Sequence, residues 1–511
     1  MPGTEALPFG VDALLAVGVY VAILLGIGAL AYTRTQQNNF EDFYLAGRKI
    51  GLPVLFLTLF ATQYSGNTLL GFSGAAYREG FTFLVSVHFM TAIIVAYLLL
   101  APRLYHISKE QRFVTPGDYI FHRYQSHALK IIITLLMTYA ACNFLLAQMK
   151  TLGTAFEGIS QGRIPMWVGV IGLVFIMLIY ESLGGMRSVA WTDALQGGVL
   201  LIGFGILLSS AFTEIGDLPS AVQKLASNPE TIEKTLPPSG DGLRRWISFI
   251  LMVGLGAAIY PQAIQRIYSA RSSRILKQSL SFMALAPLTT ALVAVVIGVL
   301  MAAYTPEMGS LSTSANRAIS PSETILPLLC LKIMQSSEFG YWLVVIIFSA
   351  LLSAVMSTAD SALLTVSSMI SKDIYGTYIH PNADPAILTR FGKRISWALM
   401  IPIVWLALVY EGNLIHLLKI KFELLIQCVP AFYLGLHCKR LNSKAVLYGI
   451  GVGLSVTLGL AWSGWLGFAN VDHPSLWGFH AGMWGLAANL FVCACFIFFE
   501  KNDLISDASR D

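Results

Sequence analysis

Ala354-Val355-Met356-Ser357-Thr358-Ala359-Asp360-Ser361 lies inside a stretch, roughly residues 340 to 370, that otherwise reads as a membrane-spanning helix. Three hydroxyls and a carboxylate in one such helix are expensive in hydrocarbon. They are tolerated mainly where they face a bundle interior, an aqueous cavity or an ion. On a helix Ala354, Ser357, Thr358 and Ser361 fall at i, i+3, i+4 and i+7, which is one face. A row of oxygens with no basic residue among them suits a small hard cation. Hydroxyls also serve as ordinary contacts between packed membrane helices; Asp360 beside them favours the ion.

The rest of the chain supplies the matching environment. Over 511 residues it is 56% hydrophobic and 12% charged, against about 25% charged in soluble domains, and its mean hydropathy is +0.67. Apolar runs of about 20 residues are membrane spans. Thirteen occur, at approximately 12–32, 50–77, 82–106, 126–150, 165–184, 189–213, 244–265, 278–304, 340–370, 393–411, 417–437, 445–466 and 480–499. No small-residue cleavage site follows the first, so it reads as a retained helix and not a signal peptide. If the N-terminus is outside, about two-thirds of the 33 Lys and Arg fall on cytoplasmic segments, including Arg103, Lys109, Arg112, Arg123 and the run Arg266, Arg271, Arg274, Lys277. The expected topology is N-terminus out and C-terminus in. It accounts for the net charge of +5 and implies no nucleic-acid partner. The six cysteines, Cys142, Cys330, Cys428, Cys438, Cys493 and Cys495, mostly lie in apolar spans and read as small buried hydrophobes.

The pattern is that of one all-α integral membrane domain over 1–511. A leading helix, 12–32, precedes two repeats, 50–213 and 244–437, then trailing helices at 445–499 and a polar cytoplasmic tail, 500–511. The outer connections are 214–243 and 305–339; Ile325 to Met334 in the second is too short to span and reads as a helix on the outer face. Span two is polar and Gly-containing at mid-depth, Leu59-Phe60-Ala61-Thr62-Gln63-Tyr64-Ser65-Gly66-Asn67-Thr68, and span seven runs Gly254-Leu255-Gly256-Ala257-Ala258-Ile259-Tyr260-Pro261-Gln262. Gly and Pro permit unwinding there, near Gly66 and near Gly256 to Pro261. Broken spans at corresponding places in two halves point to a midplane binding site. Five spans per half is an odd number, so the second half enters the membrane inverted. Gly at close helix crossings is the alternative reading.

At these residues the chain resembles the sodium:solute symporter family, which includes bacterial proline, pantothenate, monocarboxylate, sialic acid and galactose transporters. The resemblance extends over about residues 12 to 465. It is carried by Glu41-Asp42-Phe43-Tyr44-Leu45-Ala46-Gly47-Arg48, Gly184-Gly185-Met186-Arg187-Ser188-Val189-Ala190-Trp191-Thr192-Asp193, Gln265-Arg266 with Ala270-Arg271-Ser272, and Asp373-Ile374-Tyr375. It implies a LeuT-like 5+5 inverted repeat of about 13 transmembrane helices in a plasma membrane, a bacterial inner membrane by the family's range. It also implies Na+ as coupling ion and no organic cofactor. Carried over by residue, the main sodium site would take carbonyls of Ala61, Tyr64 and Ala354 and hydroxyls of Ser357 and Thr358. A second sodium would fall to Asp193, Asp360 and Ser361; Asp193 could instead sit against a helix dipole. Glu181 departs from the small residue usual in the double-Gly signature. Gln63 and Tyr64 stand where the family's proline symporter has Asp and Met, which argues against copying proline as solute.

For the solute, polar atoms at the breaks come from Thr62, Gln63, Asn67, Tyr260 and Gln262, and at similar depth from His88, Asn143, Gln148 and Gln427. A lone intramembrane His is more often a hydrogen-bonded packing residue. Lys419 and Lys421 begin span eleven on the outer side, where snorkelling to the interface is the default and attraction of an anion the alternative. The expected function is secondary active symport: inward sodium flux drives uptake of a small organic solute, a carboxylate metabolite being favoured, by alternating access. A proton-coupled or passive carrier on the same fold, or a transporter-like sensor, are the alternatives. No nucleophile–base set points to an enzyme.

Overall fold

The computed structural model describes residues 10–160, 165–305, 321–410, 414–465 and 475–507. Hydrocarbon offers backbone groups no hydrogen bonds, so apolar runs must satisfy their own, and each of the thirteen is helical. The leading helix is α1 (Val11–Arg34), followed by a short α2 (Phe40–Leu45). Span two is split into α3 (Leu52–Gln63) and α4 (Gly66–Glu79). The first half continues through α5 (Val85–Glu110), α6 (Pro116–Tyr124), α7 (His127–Ile159) and α8 (Met166–Glu214), and α9 (Leu218–Ser227) lies in the connection. Span seven is likewise split, into α10 (Gly240–Ala258) and α11 (Pro261–Ser269), bent by 46° at the break. Then come α12 (Ser273–Met283), α13 (Ala286–Thr289), α14 (Ala291–Tyr304), α15 (Ile325–Ser336), α16 (Glu338–Met369) and α17 (Pro385–Val409). Span eleven comprises α18 (Leu414–Leu425) and α19 (Val429–His437), joined by a tight turn at Ile426–Cys428. The chain closes with α20 (Ser443–Trp465), a two-residue hairpin of β1 (Ser475–Leu476) and β2 (Phe479–His480), and α21 (Ala481–Asp507).

Among the described residues nine helical segments are long and apolar enough to cross a membrane, or ten with the bent pair counted as one. The number falls below thirteen because α4 runs on into α5, α8 covers two apolar runs, and span eleven is split. At about 1.5 Å per residue the 49 residues of α8 exceed twice the hydrocarbon thickness. Its direction breaks at Gly185, φ 54° and ψ −141°. A Cβ there would lie 2.4 Å from the carbonyl of Phe43, so only glycine fits. Span eight holds an interruption that the sequence reading missed: Pro287, lacking an N–H, lies where α12 gives way to α13 and α14. The expected outer-face helix is α15, whereas 306–320 of that connection and 508–511 of the expected tail lie outside the described residues. All six cysteines are free.

Helix α16 is the centre of the bundle. It packs against α8, α7, α3, α15 and α17, and every residue from Leu351 to Met369 is buried. The connections that the sequence reading places on the cytoplasmic side are tied by charge. Arg187 pairs with Asp42 at 3.0 Å, Lys130 with Asp373 at 3.1 Å and Lys372 with Asp118 at 2.7 Å. Burial pushes the Asp118 carboxyl up, but the Lys372 ammonium and the N–H groups of Thr115 and Val114 outweigh it and hold the group below the usual carboxylate range. Arg123 donates to the carbonyls of Gly435 and Cys438, both at 2.8 Å, and pins the end of α19 to α6.

The break in span two can pass close to α16 only because residue 66 has no side chain. A Cβ on Gly66 would lie 2.5 Å from Val355 Cγ2 and 2.6 Å from Thr151 Cγ2. Gly66→Ala is expected to cost about 1–3 kcal/mol by overpacking, read as a lowered midpoint in a thermal unfolding assay in detergent. An unchanged midpoint would mean that the break does not lie against α7 and α16.

Candidate functional site

A helix that stops leaves its last carbonyls without intrahelical partners. Helix α3 ends at Tyr64 and Ser65, both extended (φ −101°, ψ 95° and φ −96°, ψ 176°), so Ser65 does not return a hydrogen bond to the Ala61 carbonyl. That carbonyl is met from α16 instead. Ser357 Oγ donates to it at 3.2 Å and Thr358 Oγ1 at 3.1 Å, and the same hydroxyls lie 3.4 and 2.9 Å from the Ala354 carbonyl of their own helix. Four oxygens thus converge, all on fully buried residues. Tyr64, the fifth expected ligand, is buried at the break itself. The N–H of Gly66, which opens α4, is taken by Gln148 Oε1 at 3.2 Å. Gln148 is therefore a cap for the broken helix.

One turn further along α16 the arrangement differs from expectation. Arg266, read from sequence as part of a cytoplasmic basic run, is fully buried and pairs with Asp193 at 2.8 Å. The break at Tyr260 explains this, because it turns α11 so that the residue six positions on faces the interior. The guanidinium also donates to Thr58 Oγ1 at 2.8 Å, to the Gln262 carbonyl at 3.1 Å and to Ser361 Oγ. Thr58 completes the set with a 2.5 Å bond to Asp193. Two of the three residues expected around a second sodium thus already share a cation of the protein's own. Asp360 joins the cluster through Ser361: it accepts from Tyr180 OH at 2.7 Å and from Ser361 Oγ at 3.4 Å. Thr62 is drawn into the same cluster, 3.3 Å from Ser361 Oγ.

Between the two breaks lies a narrow cavity of about 20 Å³, little more than the volume one water centre explores. Gln63, Asn67 and Tyr260 line it, as expected. Among the described residues Asn67 Oδ1 and Tyr260 OH have no hydrogen-bond partner, and Gln63 Oε1 accepts from Tyr97 OH at 3.3 Å. The other candidates lie elsewhere. His88 is exposed, bonded to the Leu84 carbonyl at 2.8 Å and packed on Trp246, because its face of α5 turns away from the break. Gln427 ties span eleven to its neighbours through the Gly482 carbonyl at 2.9 Å and Thr457 at 3.3 Å. Asn143 precedes the cavity-lining Phe144 without lining the cavity itself, and Gln262 is buried with both amide atoms unpartnered.

Sequence reasoning set the wrong place for Lys421. It does not snorkel. At 1% exposure it lines the cavity, its ammonium 3.8 Å from the centre of the Phe144 ring and 5.4 and 5.3 Å from those of Tyr260 and Phe422. Helix α18 begins at Leu414, so Lys421 lies two turns inside it, and Lys419, about 200° away around the helix, takes a different face. Cation–π contacts give about 2 kcal/mol when desolvated, whereas burying an ammonium costs several kcal/mol. Rings alone do not balance this charge, and among the described residues no carboxylate lies within ion-pair distance of it. The missed signal was the register of two lysines on one helix.

A membrane bundle with two broken helices, an oxygen cluster at one break and a cavity between them has the form of a secondary transporter. Residues 43–453 match the sodium:solute symporter family. The chain belongs to that family, and it is an integral, multi-pass membrane protein for sodium-coupled solute uptake, not an enzyme. It is 26% identical over 454 residues to the osmoregulated proline transporter OpuE of Bacillus subtilis, covering 88% of each chain. It is 26% identical to the sodium/pantothenate symporter of Escherichia coli, over 86% of this chain and 89% of the other. Among solved structures it shares the fold of a Na+-coupled sialic acid symporter in a substrate-bound outward-open state, with a TM-score of 0.78 at 18% identity over 96% and 98% of the two chains. A nucleobase-cation-symport-1 family transporter in a closed conformation matches with a TM-score of 0.52 at 14% identity, over 90% and 96%.

Truncating Arg266 would leave Asp193 charged and alone in a dry interior, at a cost of about 3–5 kcal/mol. Arg266→Met is expected to lose most of its folded yield, while Arg266→Met with Asp193→Leu recovers it, as read by monodisperse peak area in size-exclusion chromatography. A single variant as abundant as the parent would show that the pair carries no such charge balance.

Proposed function

We propose that Na+ binds at the span-two break, held by the carbonyls of Ala61, Tyr64 and Ala354 and the hydroxyls of Ser357 and Thr358, and that its inward flow drives a small organic solute through the adjacent cavity. The observation that carries this reading is the meeting of two hydroxyls of α16 with the Ala61 carbonyl released by the break. Unwound carbonyls opposite a hydroxyl-bearing helix form an oxygen cage for a desolvated cation. In this reading the two halves are a 5+5 inverted repeat within about 13 transmembrane helices, N-terminus out and C-terminus in, and alternating access turns on the paired breaks. The relatives named for proline and pantothenate support a small organic solute, and the Escherichia coli source of the latter supports the inner membrane.

Replacing sodium by choline should abolish uptake into proteoliposomes. Ser357→Ala and Thr358→Ala each remove one ligand, at about 1–3 kcal/mol, and should raise the sodium concentration for half-maximal uptake roughly ten- to a hundredfold. Unchanged sodium dependence in both variants would sink the assignment.

A second cation near Asp360 has its own support. Asp193 pairs with the Arg266 guanidinium, while Asp360, bonded to Tyr180 and Ser361, has no basic group at ion-pair distance among the described residues, so two ionised carboxylates would leave one negative charge uncompensated in the interior. A second Na+ beside Asp360 and Ser361 would balance it, and so would a proton on Asp360. Asp360→Asn is nearly isosteric and separates the two. With a second sodium, the Hill coefficient for sodium drops from near two toward one; with a proton, uptake hardly changes.

A further inference from the structure

We propose that Lys421 is the anchor for the transported solute, and that this solute is a small organic monoanion with a free carboxylate and no ammonium group. The inference rests on the symport reading above and names the chemistry of its solute.

Lys421 reaches the cavity from α18, while Asn67 reaches it from α4 and Tyr260 from the break after α10. The ammonium carries three N–H donors and no acceptor. The rings of Phe144, Tyr260 and Phe422 attract its charge but accept none of those hydrogens in the strong, directional way a carboxylate does. The Tyr260 hydroxyl, also without a partner, is a second donor on the same wall. An ammonium and a phenol facing one space form a receptor for a carboxylate, one donor for each oxygen. The Asn67 Oδ1, unpartnered among the described residues, then remains to accept from a hydroxyl elsewhere on the solute.

The same wall selects against other solute classes. Among the described residues no Asp or Glu lines the cavity. The ammonium of an amino acid would enter with no counter-ion, near the like charge of Lys421. A neutral sugar would leave the Lys421 charge uncompensated while hiding it further from water. The stacked pair of Phe144 and Tyr260, ring centres 5.3 Å apart and 18° between planes, suits a flat or apolar body behind the carboxylate. At about 20 Å³ the cavity must widen to admit any such molecule, as happens when the halves of a transporter move apart.

The test uses the full-length protein in proteoliposomes and in detergent. The probes are labelled acetate, lactate, pyruvate, benzoate and nicotinate, the matched amides (acetamide, lactamide, pyruvamide, benzamide, nicotinamide), and proline, alanine and glucose. At least one carboxylate should be taken up, and its amide should compete about a hundredfold less well, the loss expected when a buried charge pair is broken. Lys421→Met should abolish that uptake and Lys421→Arg should keep part of it. Thermal stabilisation by sodium should persist in Lys421→Met, which shows that the variant is folded with its ion site intact. Failure of every carboxylate to bind or compete overturns the proposal. So does sodium-driven uptake of proline, alanine or glucose that survives Lys421→Met, and that result leaves the symport reading standing. Carboxylate uptake that needs Lys421 but ignores sodium has the opposite effect: it retires sodium coupling and keeps the anchor.

Discussion

A helix broken inside hydrocarbon has to hand its stranded carbonyls to something else, and the architecture around Ala61 follows from that constraint. In water the gap at Tyr64 and Ser65 would be filled by solvent at little cost. In a membrane interior each unsatisfied group costs several kcal/mol, so the break survives only beside a partner that brings donors to it. Helix α16 is that partner. Its hydroxyls are placed by the helical repeat, and its approach depends on the missing side chain at Gly66. The N–H end of the break is served from another side by Gln148. Three helices therefore have to be in register before the gap is tolerated, and the same register creates the oxygen cluster.

Buried charge is handled in two opposite ways. Arg266 is fully engaged, with Asp193, Thr58, Ser361 and the Gln262 carbonyl around one guanidinium. A planar fork suits such many-handed binding, and the cluster fastens α11 to α3, α8 and α16. Lys421 is given rings, and among the described residues no carboxylate at ion-pair distance. The first arrangement rigidifies the bundle, whereas the second leaves a charge seeking company between the breaks of spans two and seven.

Much of this was legible in the sequence, and the parts that were not share a cause. The helical runs, both breaks and the hydroxyl face of α16 follow from hydrophobicity and from local periodicity, which need no partner to be read. Gln148 and Gln427 stood out as polar atoms at depth, but whether such an atom meets a broken backbone, as Gln148 does, or two neighbouring helices, as Gln427 does, is decided by packing. Arg266 and Lys421 were misplaced for a related reason. Both stand near the ends of apolar runs, where an average over basic residues assigns them to an interface. A 46° bend and the face of one short helix sent them inward. The family motifs contain Asp193 and Arg266, whereas Lys421 and the oxygen cluster around Ala61 lie outside them.

A hydroxyl group has one proton and two lone pairs, and it can spin between them at small cost. Ser357 and Thr358 can aim their protons at the Ala61 carbonyl or turn their lone pairs inward to a cation without any helix moving. The two side chains that close the break are those the proposed ion would meet. Such a pair gives the Ala61 carbonyl a partner of the protein's own, and a carrier that releases its cargo on one side of a membrane needs a form of that kind to travel back for the next.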